Sequence, residues 1–438
     1  MNLRLHRLDA CRQLMLRQAD RETDTAAFQA RQLRRLVKHS YENVPYYGRL
    51  FDDNGIHPDD VRSLADIVRI PATSKYDLQQ QQMEDITSGD SKGRGTQHLA
   101  TSGTTGAVSV VRRTWFEQKL LTGFRLVAMR DHGLRKNSRV VVIGIPPKNG
   151  KNHFAGMHGI LNALLPFRFF RVSVFQAPEK ILEELLSIRP DIIMGYPGVF
   201  VRLGQLMDEN VRNDLHPETI LTSGEMLTPV VRNSISRDFN TTVLDNYCSY
   251  EFNLIGWECT RTGLYHVCDD CVIVEILKDG KPVREGESGE VVVTALHSFF
   301  MPRIRFRLED IAVRGPDQCD CGAGCSTISE INGRTVDFFE LASGRSLHPY
   351  EFLPSLKKHA FSGIRQYQLL QKKKDLVVLN IKPRDPDARM NFEQLKEEIL
   401  GILGPGMKFD IVITNELETL PSGKIPTFGN QMKNPTPD

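Results

Sequence analysis

Residues 99–114 read LATSGTTGAVSVVRRT. From Thr101 to Gly106 every residue is Thr, Ser or Gly. Gly103 and Gly106 can take positive φ and let backbone amides approach an anion closely. Thr101, Ser102, Thr104 and Thr105 add hydroxyl donors. Such a loop suits phosphates. It is not a Walker loop, because Ala107 follows Gly106 and no Gly-Lys-Ser/Thr appears. The flanks QHLA and VSVVRRT both have strand composition, which predicts a strand–loop–strand turn and not a strand-to-helix cradle. A polar hairpin without a ligand is the plain alternative, and the rest of the chain has to decide.

The chain has 438 residues, too many for one hydrophobic core, so at least two domains are expected. Hydrophobic residues make up 40% and charged residues 25%, an ordinary globular balance. With 56 basic and 54 acidic residues the net charge is +2, which gives no reason to expect nucleic acid as a partner. No run of eighteen apolar residues occurs, so no membrane span or membrane partner is expected. The N-terminal stretch alternates charged and apolar residues without the apolar centre of a secretory signal. A cytoplasmic protein is expected, in which the eight cysteines serve as thiols or metal ligands more readily than as disulfides.

Residues 26–50 carry Leu33, Leu36, Val37 and Tyr41 at helical spacing, and Pro45 disfavours helix at Val44. Segments 139–145, 168–175 and 191–196 read as strands, with helical patterns at 178–190 and 199–209 between or after them. This alternation predicts an α/β domain with a largely parallel sheet. From about residue 265 short strands and tight turns take over. After INGRTVDFF (331–339) a smaller α+β unit begins, with helices expected at 348–360 and 391–403 and strands around 367–381 and 408–414. The fold class is α/β: a large N-terminal domain, 1–334, with a β-rich subdomain at about 258–332, and a small C-terminal α+β domain, 335–438.

Four further segments follow the Thr/Ser/Gly loop: SGEMLTP (223–229), LDNYCSYEF (244–252), MPRIRFRLEDIAV (301–313) and LPSGKIP (420–426). In this order they resemble the acyl-adenylate-forming (AMP-forming) ligase superfamily. Within it the chain is most similar to the phenylacetate–CoA ligase family and its capsule-biosynthesis-associated relatives. The opening from Leu33 to Leu78 resembles that family's opening, and the resemblance covers essentially the whole chain.

The resemblance implies ATP-dependent activation of an organic acid, an aryl acid by the family's commonest substrates, as an acyl-adenylate, followed by transfer to a thiol. Adenylation brings two anions together, so it needs donors on the phosphates, a cation at the α-phosphate and Mg2+. Thr101, Ser102, Gly103, Thr104, Thr105 and Gly106 would hold the β- and γ-phosphates. Gly224 and Glu225 would border adenine and Tyr247 would lie against it. Glu251 would help hold Mg2+, Asp310 would accept the ribose hydroxyls, and Arg334 would contact the ribose. Lys424 would be the adenylating lysine, an ammonium on a long stem that reaches charge developing at the α-phosphate. A hinge is expected near 334–337, and Arg305 and Arg307 are assigned to the fold or the domain interface. His153, His158 and Tyr196 fall in segments that border the acyl group in relatives.

CDCGAGC (319–325) and CTRTGLYH (259–266) put thiols and an imidazole in two separated clusters, which suits a closed tetrahedral zinc. The resemblance implies Cys259, His266, Cys319 and Cys321 as ligands of a structural Zn2+, with Cys325 as the alternative. Cys268 and Cys271 are expected on a strand, facing opposite sides.

The reading is therefore an acid–thiol ligase with ATP, Mg2+ and CoA, acting on a small carboxylic acid, with a homodimer left open. A carrier-protein thiol, an amine or a hydroxyl is the alternative acceptor. Ala107 departs from the family pattern at a position the family can dispense with; Cys248, Tyr250 and Val336 also depart from it and motivate a second alternative, a nucleotide-binding homologue without turnover. A metal-dependent hydrolase built on the Cys/His cluster is the third.

Overall fold

The computed structural model describes residues 25–89, 95–100, 110–146, 167–334, 338–360, 362–385, 390–420 and 422–432. The protein is mixed α/β, and its chain divides into two compact units. One holds Met1–Gly103, Ala107–Asp131 and Asn246–Asn332; the other holds Thr104–Gly106, His132–Asp245 and Gly333–Asp438.

In the first unit the helix Thr25–Asn43 buries Phe28, Leu33, Leu36 and Val37 along one face. It stops where Val44, preceding Pro45, turns extended, and Pro45 opens the next helix, Pro45–Asp53. These faces share a core with Leu296, Phe299 and Ile304. Strands Thr96–Ala100 and Val110–Thr114 pair antiparallel, so the strands expected on either side of the loop are present. The loop residues Thr101 to Gly106 lie outside the described residues.

The helix Trp115–Asp131 follows the second strand of this hairpin directly, and its start is written in the sequence. The Thr114 hydroxyl accepts the Glu117 N–H at 3.3 Å, while Glu117 accepts the Thr114 N–H at 2.7 Å, a reciprocal cap. The same buried carboxylate accepts the amides of Phe299 and Phe300 at 2.7 and 2.9 Å. Burial pushes the Glu117 carboxyl up, and these backbone donors pull against it.

The remainder of this unit is antiparallel, with strands Val272–Lys278, Ser288–Ala295 and Phe306–Arg314 side by side. Asn253–Glu258, Tyr265–Val267 and Thr327–Arg334 form a second run. Cys268 and Cys271 are not on a strand, contrary to the sequence expectation. They close a turn in which the Cys271 and Val272 N–H groups both donate to the Cys268 carbonyl, and both side chains are buried. Arg305 is structural. Its guanidinium meets Glu275 through two bonds of 3.0 and 2.9 Å and also donates to the Val68 and Ile70 carbonyls. Arg307 pairs with Glu290.

The second unit contains a parallel sheet with strand order Arg168–Ser173, Arg139–Gly144, Ile192–Gly195, Thr219–Ser223. All four residues of the strand Ile192–Gly195 are buried, the pattern of a strand covered on both faces. The single helix expected over 199–209 is two helices, Pro197–Gly204 and Glu209–Asp214. Asp208 starts the second by accepting the Val211 N–H at 2.8 Å.

The C-terminal segment of the same unit has a four-stranded sheet, ordered Lys408–Ile413, Leu376–Pro383, Ile364–Lys373, Phe428–Asn430. Helices Leu353–His359 and Phe392–Leu403 pack on it, and Val230 of the helix Pro229–Phe239 joins their core. Arg365 meets buried Asp238 of that helix at 2.7 Å. The expected hinge begins at the end of the strand Thr327–Arg334, and residues 335–337 lie outside the described residues.

Replacing Arg305 by Met leaves Glu275 buried without its cation. The expected cost is about 3–5 kcal/mol, read as a lowered urea midpoint for the transition of this unit. A midpoint equal to that of the parent chain would show that the ion pair is dispensable.

Candidate active site

In the first unit the turn between strands Thr242–Ser249 and Asn253–Glu258 carries Tyr250 and Glu251. Register shifts between Tyr247 and Cys248, so a bulge precedes this turn. Tyr247 is buried, and its hydroxyl donates to Asp310 Oδ2 at 2.6 Å. The structure thus brings together two residues that the sequence assigned separately to adenine and ribose. Asp310 sits on the strand Phe306–Arg314, directly after Glu309, whose φ is +63°.

Two buried arginines not singled out in the sequence face Glu251. Arg113, at the end of the strand Val110–Thr114, donates to the Tyr250 carbonyl and to Gln118. Burial pulls its guanidinium down to about 10, against the carboxylates of Glu117 and Glu251. Burial also lowers Arg303, which lies over the Phe306 ring at 5.6 Å and feels Glu251 as well. Arg113 and Arg303 repel one another; Glu117 and then Glu251 favour the charged form of Arg113, and Tyr47, Glu251 and Tyr46 that of Arg303. The clue in the sequence was slight: a basic pair directly after the loop and one extra Arg before IRFR.

In the second unit a helix start and the turn after a strand meet the loop of the expected adenylating lysine. Tyr196 caps the helix Pro197–Gly204 and lies beneath Lys424, whose Nζ is 5.2 Å from the ring centroid. Gly224 follows the strand Thr219–Ser223 with φ +79°. A Cβ there would stand 3.1 Å from Tyr196 Cε1 and 3.2 Å from Lys424 Nζ, so this turn requires glycine. Glu225 accepts the Gly198 N–H at 2.7 Å through Oε2 and the Ile425 N–H at 2.7 Å through Oε1. Burial pushes its carboxyl up to about 7, although both amides, Lys424 and Arg202 favour the ionised form. Arg334 ends its strand exposed, with its backbone against His348. His153 and His158 lie outside the described residues.

The third cluster is the Cys/His group of the first unit. The ligand atoms of Cys259, His266, Cys319 and Cys321 all lie within 4.8 Å of one another. Cys319 Sγ is 3.9 Å from Cys259 Sγ, and Cys321 Sγ is 3.2 Å from His266 Nε2. Tetrahedral zinc with Zn–S bonds of ~2.3 Å separates its sulfur ligands by ~3.8 Å, so the donor set and its spacing fit that metal. Cys325 is outside the group and donates to the Ala323 carbonyl. Among the described residues no cysteine forms a disulfide.

No family model matches the chain. Phenylacetate-coenzyme A ligase of Escherichia coli (strain K12) is 31% identical over 301 residues, which cover 65% of this chain and 66% of that enzyme. The enzyme of the same name from Pseudomonas putida is 30% identical over 324 residues, 70% of each chain. Among solved structures, 2-hydroxyisobutyryl-CoA ligase in the postadenylation state with R3-HIB-AMP has a TM-score of 0.74 at 18% identity, covering 91% of this chain and 89% of that one. The fold is therefore that of the AMP-forming acid–CoA ligases. The chain belongs to the phenylacetate-coenzyme A ligase family. Among the described residues no helix is long and apolar enough to cross a membrane.

The zinc reading has a direct check. Metal analysis of the purified protein is expected to give about one zinc per chain, and Cys319→Ser to lose it along with several degrees of melting temperature. A metal-free protein of unchanged stability would contradict it.

Proposed function

We propose that this chain is an ATP-dependent, AMP-forming acid–thiol ligase that activates a small carboxylic acid and passes the acyl group to CoA. In the first half-reaction a carboxylate oxygen attacks the α-phosphorus and pyrophosphate leaves. In the second the thiol sulfur attacks the acyl carbon and AMP leaves. Neither step needs a nucleophile from the protein.

The observation that carries the reading is the seat of Lys424. It lies over Tyr196 and against Gly224, with its neighbour Ile425 hydrogen-bonded to Glu225. A lysine held at this turn supplies positive charge where the attacked phosphate gains negative charge, and it does so without reorganising. Tyr247 takes the adenine, Asp310 the ribose hydroxyls, and Thr101 to Gly106 the outer phosphates. Mg2+ would be held by Glu251 together with the triphosphate, one carboxylate plus phosphate oxygens being its usual company. It would neutralise phosphate charge. The Cys/His group would hold a structural zinc with no part in bond making. The segment 335–438 acts as a mobile domain hinged near 334–337. Aryl acids are the first substrates to screen, since phenylacetate is what the named relatives activate.

Exchange of labelled pyrophosphate into ATP across a panel of acids, with thioester detected by mass when CoA is added, tests both halves. Lys424→Ala is expected to lower exchange by about 10²–10³-fold, the size lost with one preorganised donor at a developing charge. Exchange without thioester would move the acceptor to a carrier-protein thiol, an amine or a hydroxyl. ATP binding without exchange on any acid would replace the ligase by a homologue that has lost turnover.

A further inference from the structure

Glu225 does more than border a nucleotide. Pro197 has no N–H, so Gly198 carries the first amide of the helix Pro197–Gly204. Amides at this position have no partner within the helix and favour an anion. Glu225 supplies that anion from 27 residues away. Its other oxygen takes the N–H of Ile425, 200 residues away and adjacent to Lys424. Within the loop, the Leu420 N–H donates to the Lys424 carbonyl at 2.8 Å, and the Gly423 N–H to the Leu420 carbonyl at 2.8 Å. The Lys424 turn is thus closed on itself, and Glu225 fixes it to the Tyr196–Gly198 corner. Ile425 packs into the same corner, its Cδ1 3.1 Å from where a Cβ on Gly198 would stand.

We propose that Glu225 is the positioning residue that docks the Lys424 loop for adenylation, one carboxylate clasping the Gly198 and Ile425 amides at once. The proposal rests on the ligase reading above and adds a role to a residue assigned there only to the neighbourhood of adenine. The two roles differ in what they should change. A nucleotide ligand affects KM for ATP. A clasp affects the turnover of the step in which Lys424 acts, and it leaves the thiol-transfer step alone.

The ionised carboxylate is the better double acceptor. Its ionisation is opposed by burial and supported by Lys424 and Arg202, the charged groups facing it among the described residues, together with the two amides. The carboxyl therefore ionises near neutrality, and the clasp tightens as pH rises through about 7.

The test compares the parent protein with Glu225→Ala and Glu225→Gln. Glutamine keeps one acceptor oxygen and so one of the two bonds. Pyrophosphate exchange is expected to fall about tenfold or more in kcat for the alanine variant, with KM for ATP within about twofold, and to be partly restored by glutamine. The activity limb near pH 7 is expected to vanish in Glu225→Gln. Thioester formation from pre-made acyl-adenylate should keep the parent rate. Combining Glu225→Ala with Lys424→Ala should add no further loss. Amide hydrogen exchange of the Gly198 and Ile425 peptides gives a second readout that does not need turnover, and both should lose protection in Glu225→Ala. Unchanged protection overturns the clasp, as does a loss of exchange that lies wholly in KM for ATP. If the parent protein exchanges pyrophosphate with no acid, the ligase reading fails, and amide protection still decides whether Glu225 docks the loop.

Discussion

The reading turns on placing one ammonium. Lys424 sits on a loop far along the chain from the Ser223–Glu225 turn, and nothing local carries it there. What holds it is a carboxylate that accepts two backbone amides, one from a helix start and one from the lysine's own loop. The glycine beside that carboxylate leaves room for the ammonium, and an aromatic face lies under it. A long flexible side chain loses rotamer freedom when fixed, so fixing the backbone on both sides is the economical way to aim it.

The first unit does a different task by the same physics. Buried charges there are matched in place: Arg305 pairs with Glu275, Arg113 lies in the field of Glu117 and Glu251 and donates to the Tyr250 carbonyl, and Arg303 lies in the field of Tyr47 and Glu251. Each match keeps a turn in one shape, because a guanidinium that leaves its partner strands a buried charge. The turn 250–252 and the strand bearing Asp310 are held this way, with the Tyr247–Asp310 bond closing the set. The Cys/His group brings the turn after Glu258 and the loop 319–325 together, its four donor atoms within 4.8 Å of one another.

Much of this was legible in the sequence, for stated reasons. Strand composition on both sides of the Thr/Ser/Gly loop gave the hairpin, and Pro45 marked a helix boundary. Cysteine and histidine spacing marks two clusters, and the four residues the resemblance implies as ligands have donor atoms within 4.8 Å of one another in the fold. Local pattern misled where a short polar contact redirects the chain. Asp208 restarts a helix that periodicity had run through, and the Cys268 carbonyl closes a turn where alternation suggested a strand. The double contact of Glu225 could not be read at all. Its partners are 27 and 200 residues distant, and a backbone amide has no letter in the sequence. Arg113 and Arg303 carry little mark in the sequence, because burial and not residue type sets them apart from other arginines.

The central claim is that this chain joins a carboxylate to the α-phosphate of ATP before the thiol arrives. Oxygen isotope tracing tests it most directly. With an acid whose carboxyl oxygens are ¹⁸O, the oxygen that attacks phosphorus stays there when the thiol displaces AMP. The account therefore requires AMP carrying a single ¹⁸O per thioester formed. Unlabelled AMP, or label appearing in inorganic phosphate alongside ADP, would contradict it.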